Sequence, residues 1–467
     1  MMCSNDIKPL HSLKELWEWD RKKIDDTVVG KALDNYTSCR KNAETLACHD
    51  MKGGYLPEES MNGCRVTISS TPYVVLHWWY MDVFVYFSHH FITIPPFGWI
   101  DQAHAHGVIV LGTFITEWET GAEICAEMLS SVENVERTVS KLTEIAVRCN
   151  FEGWLINIEN EIRVSQIDLL AKFLSMLTER MRSAIGEVSR VIWYDAVTAE
   201  GKLEWQNGLN DLNERWFSCT DGIFLNYGWD PKKLFQSTER AAERRHCVYV
   251  GVDCFGRGCY GGGGWNCCEA FSQIRKNDLS VALFAPGWVA ETLAYSDIIV
   301  NSLRFWDRLN TFVYAHPLTS LPVETNFSIG FHESERNYKC YSLSSAALQP
   351  HYLSNGAFPR TTGSSLVLPG RATYKLFETD LVLKGHFTIT VDADTSLQLV
   401  VWKEGTERDL PTEITKKENE AVDVWDVVFQ NERIRAIGFA CDQAAIVRSF
   451  SMKQTSPIPT RKQCINE

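Results

Sequence analysis

Between about residues 43 and 290, short runs of apolar, β-branched and aromatic residues alternate with longer segments. That alternation is the mark of repeated βα units. The candidate strands are ETLACHD (44–50), DVFVYFSH (82–89), VIVLGTFITEW (108–118), GWLINIE (153–159), RVIWYDAV (190–197), GIFLNYGW (222–229), VYVGVDCFG (248–256) and VALFAPGW (281–288). Six of them end in polar or aromatic side chains beside Gly, Asp, Glu or His, as expected if their carboxyl ends converge on a pocket. The segments 131–149 and 165–186 space their apolar residues at three and four, which predicts outer helices. Eight such units in roughly 300 residues predict an α/β fold, a (β/α)8 TIM barrel.

After about residue 320 the pattern changes. Segments 386–405, 424–430 and 434–442 alternate apolar and polar residues and lack long helical patterns, which predicts a smaller antiparallel β-sandwich domain. The expected organisation is a helical lead-in over 1–42, the barrel over 43–318, the β-sandwich over 319–455 and a loose polar tail over 456–467. The sandwich is either a packing partner for the barrel or a carbohydrate-binding module. The Gly-rich piece GRGCYGGGGW (256–265) lacks the Lys-Ser/Thr that ends a phosphate-binding P-loop and is expected to form a flexible loop at the barrel mouth.

Composition narrows the function. A length of 467 residues suits two domains, and a net charge of −13 argues against a nucleic-acid partner or an anionic membrane surface, both of which want a basic face. Aromatics reach 12%, several of them beside Gly, Pro and Asn at apparent strand ends, where flat rings suit stacking on sugars. The N-terminal stretch has no apolar core of signal-peptide length, and no segment reaches the roughly 18 apolar residues of a membrane span, so a cytosolic protein is expected. The 15 cysteines, odd in number and irregular in spacing, read as reduced thiols and not as a disulfide framework. No metal or other cofactor is expected. His89, His90, His104 and His106 invite a metal reading, but an HH pair cannot face one way on a strand, and rim or core hydrogen bonding is the better expectation. Asn35-Tyr-Thr and Asn326-Phe-Ser match the glycosylation acceptor pattern by chance.

The most informative stretch is GWLINIENEI (153–162). Asn157 and Glu159 lie two residues apart, so on a strand an amide and a carboxyl project to the same face. The plain alternative is a strand end with two solvated polar residues. Glu161 shares their parity, but it is expected beyond the strand as a solvated carboxylate.

Taken in order, HDMKGGY (49–55), HWWYMDVFVYFSHH (77–90), TIPPFGWIDQAHAHGVIVLGTFITEW (93–118), GWLINIEN, WYDAV, LNYGW, GVDCFGRG and LFAPGW resemble the cytosolic endo-β-N-acetylglucosaminidases, glycoside hydrolase family 85. The likeness covers most of 43–300 and fades after 320. It implies hydrolysis of the GlcNAc-β1,4-GlcNAc bond in the chitobiose core of an N-linked oligosaccharide or glycopeptide, leaving one sugar on the peptide. It also implies retention of configuration by substrate assistance, in which the 2-acetamido oxygen attacks C1 and forms an oxazoline. Retaining glycosidases otherwise need a second carboxylate as nucleophile, and an amide in its place is the telling departure. Glu159 would protonate the leaving oxygen and then activate water. Asn157 would hold the acetamido N–H and align its oxygen on C1. Tyr194, in WYDAV, matches the family tyrosine expected to hydrogen-bond the acetamido oxygen, with a structural barrel tyrosine as the alternative. Asp195 would face the other way as a structural group.

For substrate binding, Trp118, Trp205, Trp229 and Trp288 are candidate stacking platforms, with Asn226, Tyr227 and Phe255 nearby in motif context. Any one of these tryptophans could instead be core. Glu117 and Asp253 are candidate charge-tuning or sugar-hydroxyl groups, and His49 and Asp50 candidate contacts at the first strand's end, each balanced against a structural role. No membrane and no obligate protein partner is expected. Two alternatives remain: a catalytically weak, lectin-like glycan-binding barrel, whose usual mark would be loss of the acid, and a chitinase-like hydrolase, which would want a DxxDxDxE run where GWLINIENEI has Asn.

Overall fold

The structure, a computed structural model, describes residues 6–20, 24, 30–37, 42–67, 72–333, 338–353, 357–360, 364–404, 414–416 and 422–455. The tail expected over 456–467 lies outside them. The chain divides into two compact units, one drawn from residues 1–316 and 332–345, the other from 317–331 and 346–467.

The first unit is a closed barrel of eight parallel strands. These are β1 (Thr45–His49), β2 (Val83–Tyr86), β3 (Ile109–Glu117), β4 (Gly153–Glu159), β5 (Arg190–Tyr194), β6 (Gly222–Leu225), β7 (Val248–Asp253) and β8 (Ser280–Phe284). Each pairs with the next, and β8 pairs with β1. Each overlaps one of the expected runs.

Helices α1 (Phe97–Ala105), α2 (Trp118–Met128), α3 (Val132–Cys149), α4 (Ile167–Ile185), α5 (Glu214–Cys219), α6 (Pro231–Ala241) and α7 (Cys267–Lys276) fill the later crossovers. Between β1 and β2 the helical pieces among the described residues are 3-10 turns, at Pro57–Glu59 and Trp78–Tyr80, with a short strand at Cys64–Arg65 between them. The two helices expected from periodicity are α3 and α4. Ser131 caps α3 by accepting from the Asn134 N–H, and Asn150 ends it at a left-handed φ of 61°. The buried stripe of α4 runs through Leu170, Phe173, Leu174, Leu177 and Met181.

Strand parity positions the site. Leu46 and Cys48 of β1, Val83 and Val85 of β2, Leu111 and Ile115 of β3, Leu155 of β4, Ile192 and Tyr194 of β5 and Phe224 of β6 point inward and share one apolar cluster. The alternate residues face the helices, as Trp154 does by donating to the Leu142 carbonyl of α3 at 3.3 Å. β4 begins at Gly153 because β5 approaches so closely there that a Cβ would fall 1.7 Å from the Arg190 carbonyl oxygen. By this parity Asn157 and Glu159 continue the inward row of Leu155.

The second unit is antiparallel β, as expected. Its long strands are β9 (Ala372–Ala393), β10 (Gln398–Lys403), β11 (Asp423–Cys441) and β12 (Ala445–Thr455), bonded in the order β10-β11-β9-β12. Hydrogen bonds join them to shorter strands in one eight-stranded sheet. The β9–β11 ladder slips register at Lys375/Phe377, Glu378/Leu381 and Leu383/Lys384. Bulges of that kind bend and twist a strand pair, so one bonded sheet can curl over its own apolar face. Phe450 packs against both Phe377, at 5.4 Å between ring centres, and Phe439, at 5.8 Å.

Candidate active site

A cavity of about 410 Å³ opens at the carboxyl ends of the barrel strands. Its floor and walls include Leu155, Asn157 and Glu159 of β4, Tyr194 of β5, Phe224 of β6 and Asn226 just past it, and Phe87, Glu117, Trp205, Tyr227 and Phe284. A cavity of about 460 Å³ lies at the opposite, amino-terminal end. Its arginines are already engaged: Arg182 with Asp221, Arg190 with the carbonyls of 187–189, and Arg244 with the carbonyls of Phe217 and Thr220. That end holds the barrel together, and the chemistry belongs at the other.

Asn157 is 4% exposed, and its Oδ1 is buried without a hydrogen-bond partner. Its amide bonds the Glu159 carboxyl. A buried acceptor left unsatisfied costs about 1–3 kcal/mol, which a ligand N–H would recover. Glu159 is half-buried. Burial holds its carboxyl above the ordinary glutamate range and the neighbouring Glu117 pushes the same way, while Asn157 and His89 pull it back. Glu161 lies past the end of β4 and is exposed, as expected.

Tyr194 donates from Oη to Asn226 Oδ1 at 2.9 Å. Asn226 Nδ2 donates to Asn207 Oδ1 at 2.8 Å, and the same oxygen accepts the Gly228 N–H at 2.8 Å. The Asn207 N–H donates to Asp195 Oδ2 at 2.7 Å, and Asn213 Nδ2 donates to Asp195 Oδ1 at 2.9 Å. Asp195 therefore faces away from Tyr194 and braces the loop that orients it. Burial pushes its carboxyl up to about 6. The indole of Trp205 also hydrogen-bonds the Tyr194 hydroxyl.

Of the other expected binding residues, Trp205, Asn226, Tyr227 and Glu117 line the cavity. Trp118 follows Glu117 at a φ of 55° and is 68% exposed, and Phe255 is exposed under the Arg257 guanidinium. Four expected contacts lie elsewhere. His49 is buried among Phe84, Tyr86 and Trp99 and faces Glu59, because the inward parity of β1 belongs to Cys48 and Asp50. Trp229 donates to the Gly251 carbonyl at 2.8 Å and stacks on Tyr260. Trp288 packs against Trp265 and Phe305. Asp253 is fully buried and grips Arg257 through Nε at 2.8 Å and Nη2 at 3.2 Å.

Sequence reasoning missed Arg257. The Gly-rich loop presents it to the cavity, and the signal was its place four residues after a strand-end acid. Asp50 and His89 also line the cavity, while His104 bonds Glu152 and the Lys31 carbonyl, and His106 the Gln102 carbonyl. Among the described residues no helix is long and apolar enough to cross a membrane.

The sequence matches Glycosyl hydrolase family 85 over residues 57–335. It is similar to the cytosolic endo-beta-N-acetylglucosaminidase of Gallus gallus, at 40% identity over 73% of this chain and 48% of that one. For the protein of the same name in Homo sapiens the figures are 41%, 73% and 47%. For cytosolic endo-beta-N-acetylglucosaminidase 2 of Arabidopsis thaliana they are 42%, 74% and 50%. The chain spans about half the length of the curated relatives it matches. Among solved structures, the glycoside hydrolase domain of Endo-D from Streptococcus pneumoniae R6 shares the fold, with a TM-score of 0.69 at 16% identity over 98% of this chain and 84% of that one. With the family matched over more than half of its length, the chain belongs to glycosyl hydrolase family 85.

Proposed function

We propose that the protein is an endo-β-N-acetylglucosaminidase that hydrolyses the GlcNAc-β1,4-GlcNAc bond of the N-glycan chitobiose core, on free oligosaccharides and on glycoproteins. The observation that carries the reading is the unpartnered Oδ1 of Asn157, buried beside the half-buried acid Glu159. In this reading the Asn157 oxygen accepts the acetamido N–H, turning the acetamido oxygen onto C1. Glu159 protonates the leaving oxygen as the C1–O bond breaks and the acetamido oxygen closes on C1 to give an oxazolinium ion, its N–H proton still held in the hydrogen bond to Asn157. As carboxylate it then takes a proton from the water that reopens the ring, with net retention. Tyr194, held by Asn226, contacts the acetamido group. Trp205, Asn226 and Tyr227 form the wall against the sugars, and Trp118 and Phe255 offer ring faces at the rim.

The names of the relatives support a place in the cytosol. The expected cleavage is read by mass spectrometry after incubation with a high-mannose glycopeptide: a peptide retaining one N-acetylglucosamine supports the activity. Binding without cleavage would favour a lectin-like barrel.

One observation supports a second mechanism for the same bond. Glu117 aligns with Glu159 across β3 and β4, so two carboxylates stand side by side, as in retaining enzymes with a protein nucleophile. Against it, Glu117 is held by His89. If Glu117 were the nucleophile, Glu117→Gln would abolish turnover.

A further inference from the structure

Glu117 ends β3 and Glu159 ends β4, and the two are register partners. The inward parity of β3 runs through Leu111 and Ile115 to Glu117, so both carboxyls face the cavity at one level. Neighbouring strands lie about 4.8 Å apart, which puts two like charges within reach of one another. From β2 the inward parity runs through Val85 and Phe87 to His89, whose Nδ1 lies 3.3 Å from Glu117 Oε2. The Phe87 ring meets the imidazole edge to face at 5.4 Å between centres. The His89 side chain is 59% exposed and that of Glu117 23%, so the imidazole exchanges protons with solvent while the carboxyl it grips faces the acid.

We infer that Glu117 and His89 are positioning residues for the Glu159 proton, a carboxylate beside the acid and an imidazole whose protonation decides how much of that carboxylate's charge the acid feels. The inference rests on the proposed role of Glu159 as the acid. The other groups facing Glu159 are Asn157 on its own strand, Tyr194 of β5 and Tyr227 beyond β6. His89 also faces Asp50 beyond β1, and Asp50 faces Arg257 beyond β7.

The hydrogen bond to Glu117 holds the His89 imidazole above its ordinary range, and the charges of Glu117, Asp50 and Glu159 add to that against burial. The His89 cation opposes the push of Glu117 on the Glu159 proton, and a neutral imidazole leaves that push unopposed. The pair thus sets the Glu159 midpoint from two neighbouring strands, in opposite senses.

The test is a carbon-13 NMR titration of the Glu159 carboxyl in glutamate-labelled protein, assigned with Glu159→Gln. Glu117→Gln removes a like charge and should lower the Glu159 midpoint by about one pH unit, and His89→Gln removes a cation and should raise it. Movement of both midpoints in the same direction, or of neither, overturns the inference. The readout needs no turnover. A chain whose midpoints move oppositely but which cleaves no N-glycan supports the pairing and overturns the proposed activity.

Discussion

Tyr194 donates its hydroxyl proton to Asn226 Oδ1 at 2.9 Å, and the orientation of that amide is imposed from outside the cavity. The Gly228 N–H can only donate, so the Asn207 atom that meets it must be oxygen. Asn226 then has to present its NH2 to Asn207 and its oxygen to Tyr194. Asn226→Asp would set two acceptors against each other in the cavity wall, whereas Asn207→Asp keeps both accepted bonds and loses only the exposed Nδ2 donation to the Trp205 carbonyl. The expected order of damage to kcat on a glycopeptide is Asn226→Asp worse than Asn207→Asp, with a loss of about tenfold or more for the first. The reverse order would show that the chain does not orient the tyrosine.

Glu159→Gln keeps the shape of the side chain and removes its proton. Hydrolysis should fall by about 10²–10⁴-fold, the range for a positioned acid and base, while the melting temperature stays near that of the wild type. Steady-state kinetics on the glycopeptide, run beside thermal unfolding, check both halves. Near-normal turnover would remove Glu159 from the role of acid.

Asp195 carries a stability signature. Its carboxyl titrates near 6 in the fold against about 3.9 in an unfolded chain, so between those values the folded state holds a proton that the unfolded state has lost. The stabilisation from the protonated form is present in full below about pH 4 and is lost as pH rises through about 6. Melting temperatures of wild type and Asp195→Asn from pH 4 to 7 should therefore diverge, the wild type losing ground to the variant as pH rises. Parallel curves would mean that Asp195 is ionised throughout.

Gly153→Ala should be among the most damaging small changes in the barrel, because its Cβ would meet the backbone of β5 and not a movable side chain. Overpacking of this kind costs about 1–3 kcal/mol where neighbours can yield, and a carbonyl bonded within a sheet yields little. Soluble yield and melting temperature of the variant read the effect. A wild-type melting temperature would refute the close approach of β4 and β5.

The barrel was legible because buried parallel strands are continuous apolar runs that stop at polar residues, and α3 and α4 because their apolar stripes recur at helical spacing. Asn157 and Glu159 were legible for the same reason, since parity alone turns both inward. His49 was misread where parity was not applied: Leu46 and Cys48 face in, so Asp50 does too and His49 does not. Trp229 and Trp288 were misread because a tryptophan near a strand end has one sequence signature whether it stacks on a sugar or on Tyr260 and Trp265. Arg257 depends on the path of a glycine loop, in which Gly256 and Gly263 at positive φ bring the backbone against itself, and no periodicity encodes that. The slipped β9–β11 ladder was hidden because alternation records which face is buried and not how many bonded sheets supply it.

Substrate assistance by Asn157 is tested most directly with two substrates and one variant. Asn157→Ala should lose hydrolysis of the glycopeptide yet still turn over a preformed sugar oxazoline, since the step that the amide assists has been bypassed. Failure on both substrates by a folded variant, or retention of glycopeptide hydrolysis, would contradict the role given to the buried, unpartnered Asn157 oxygen.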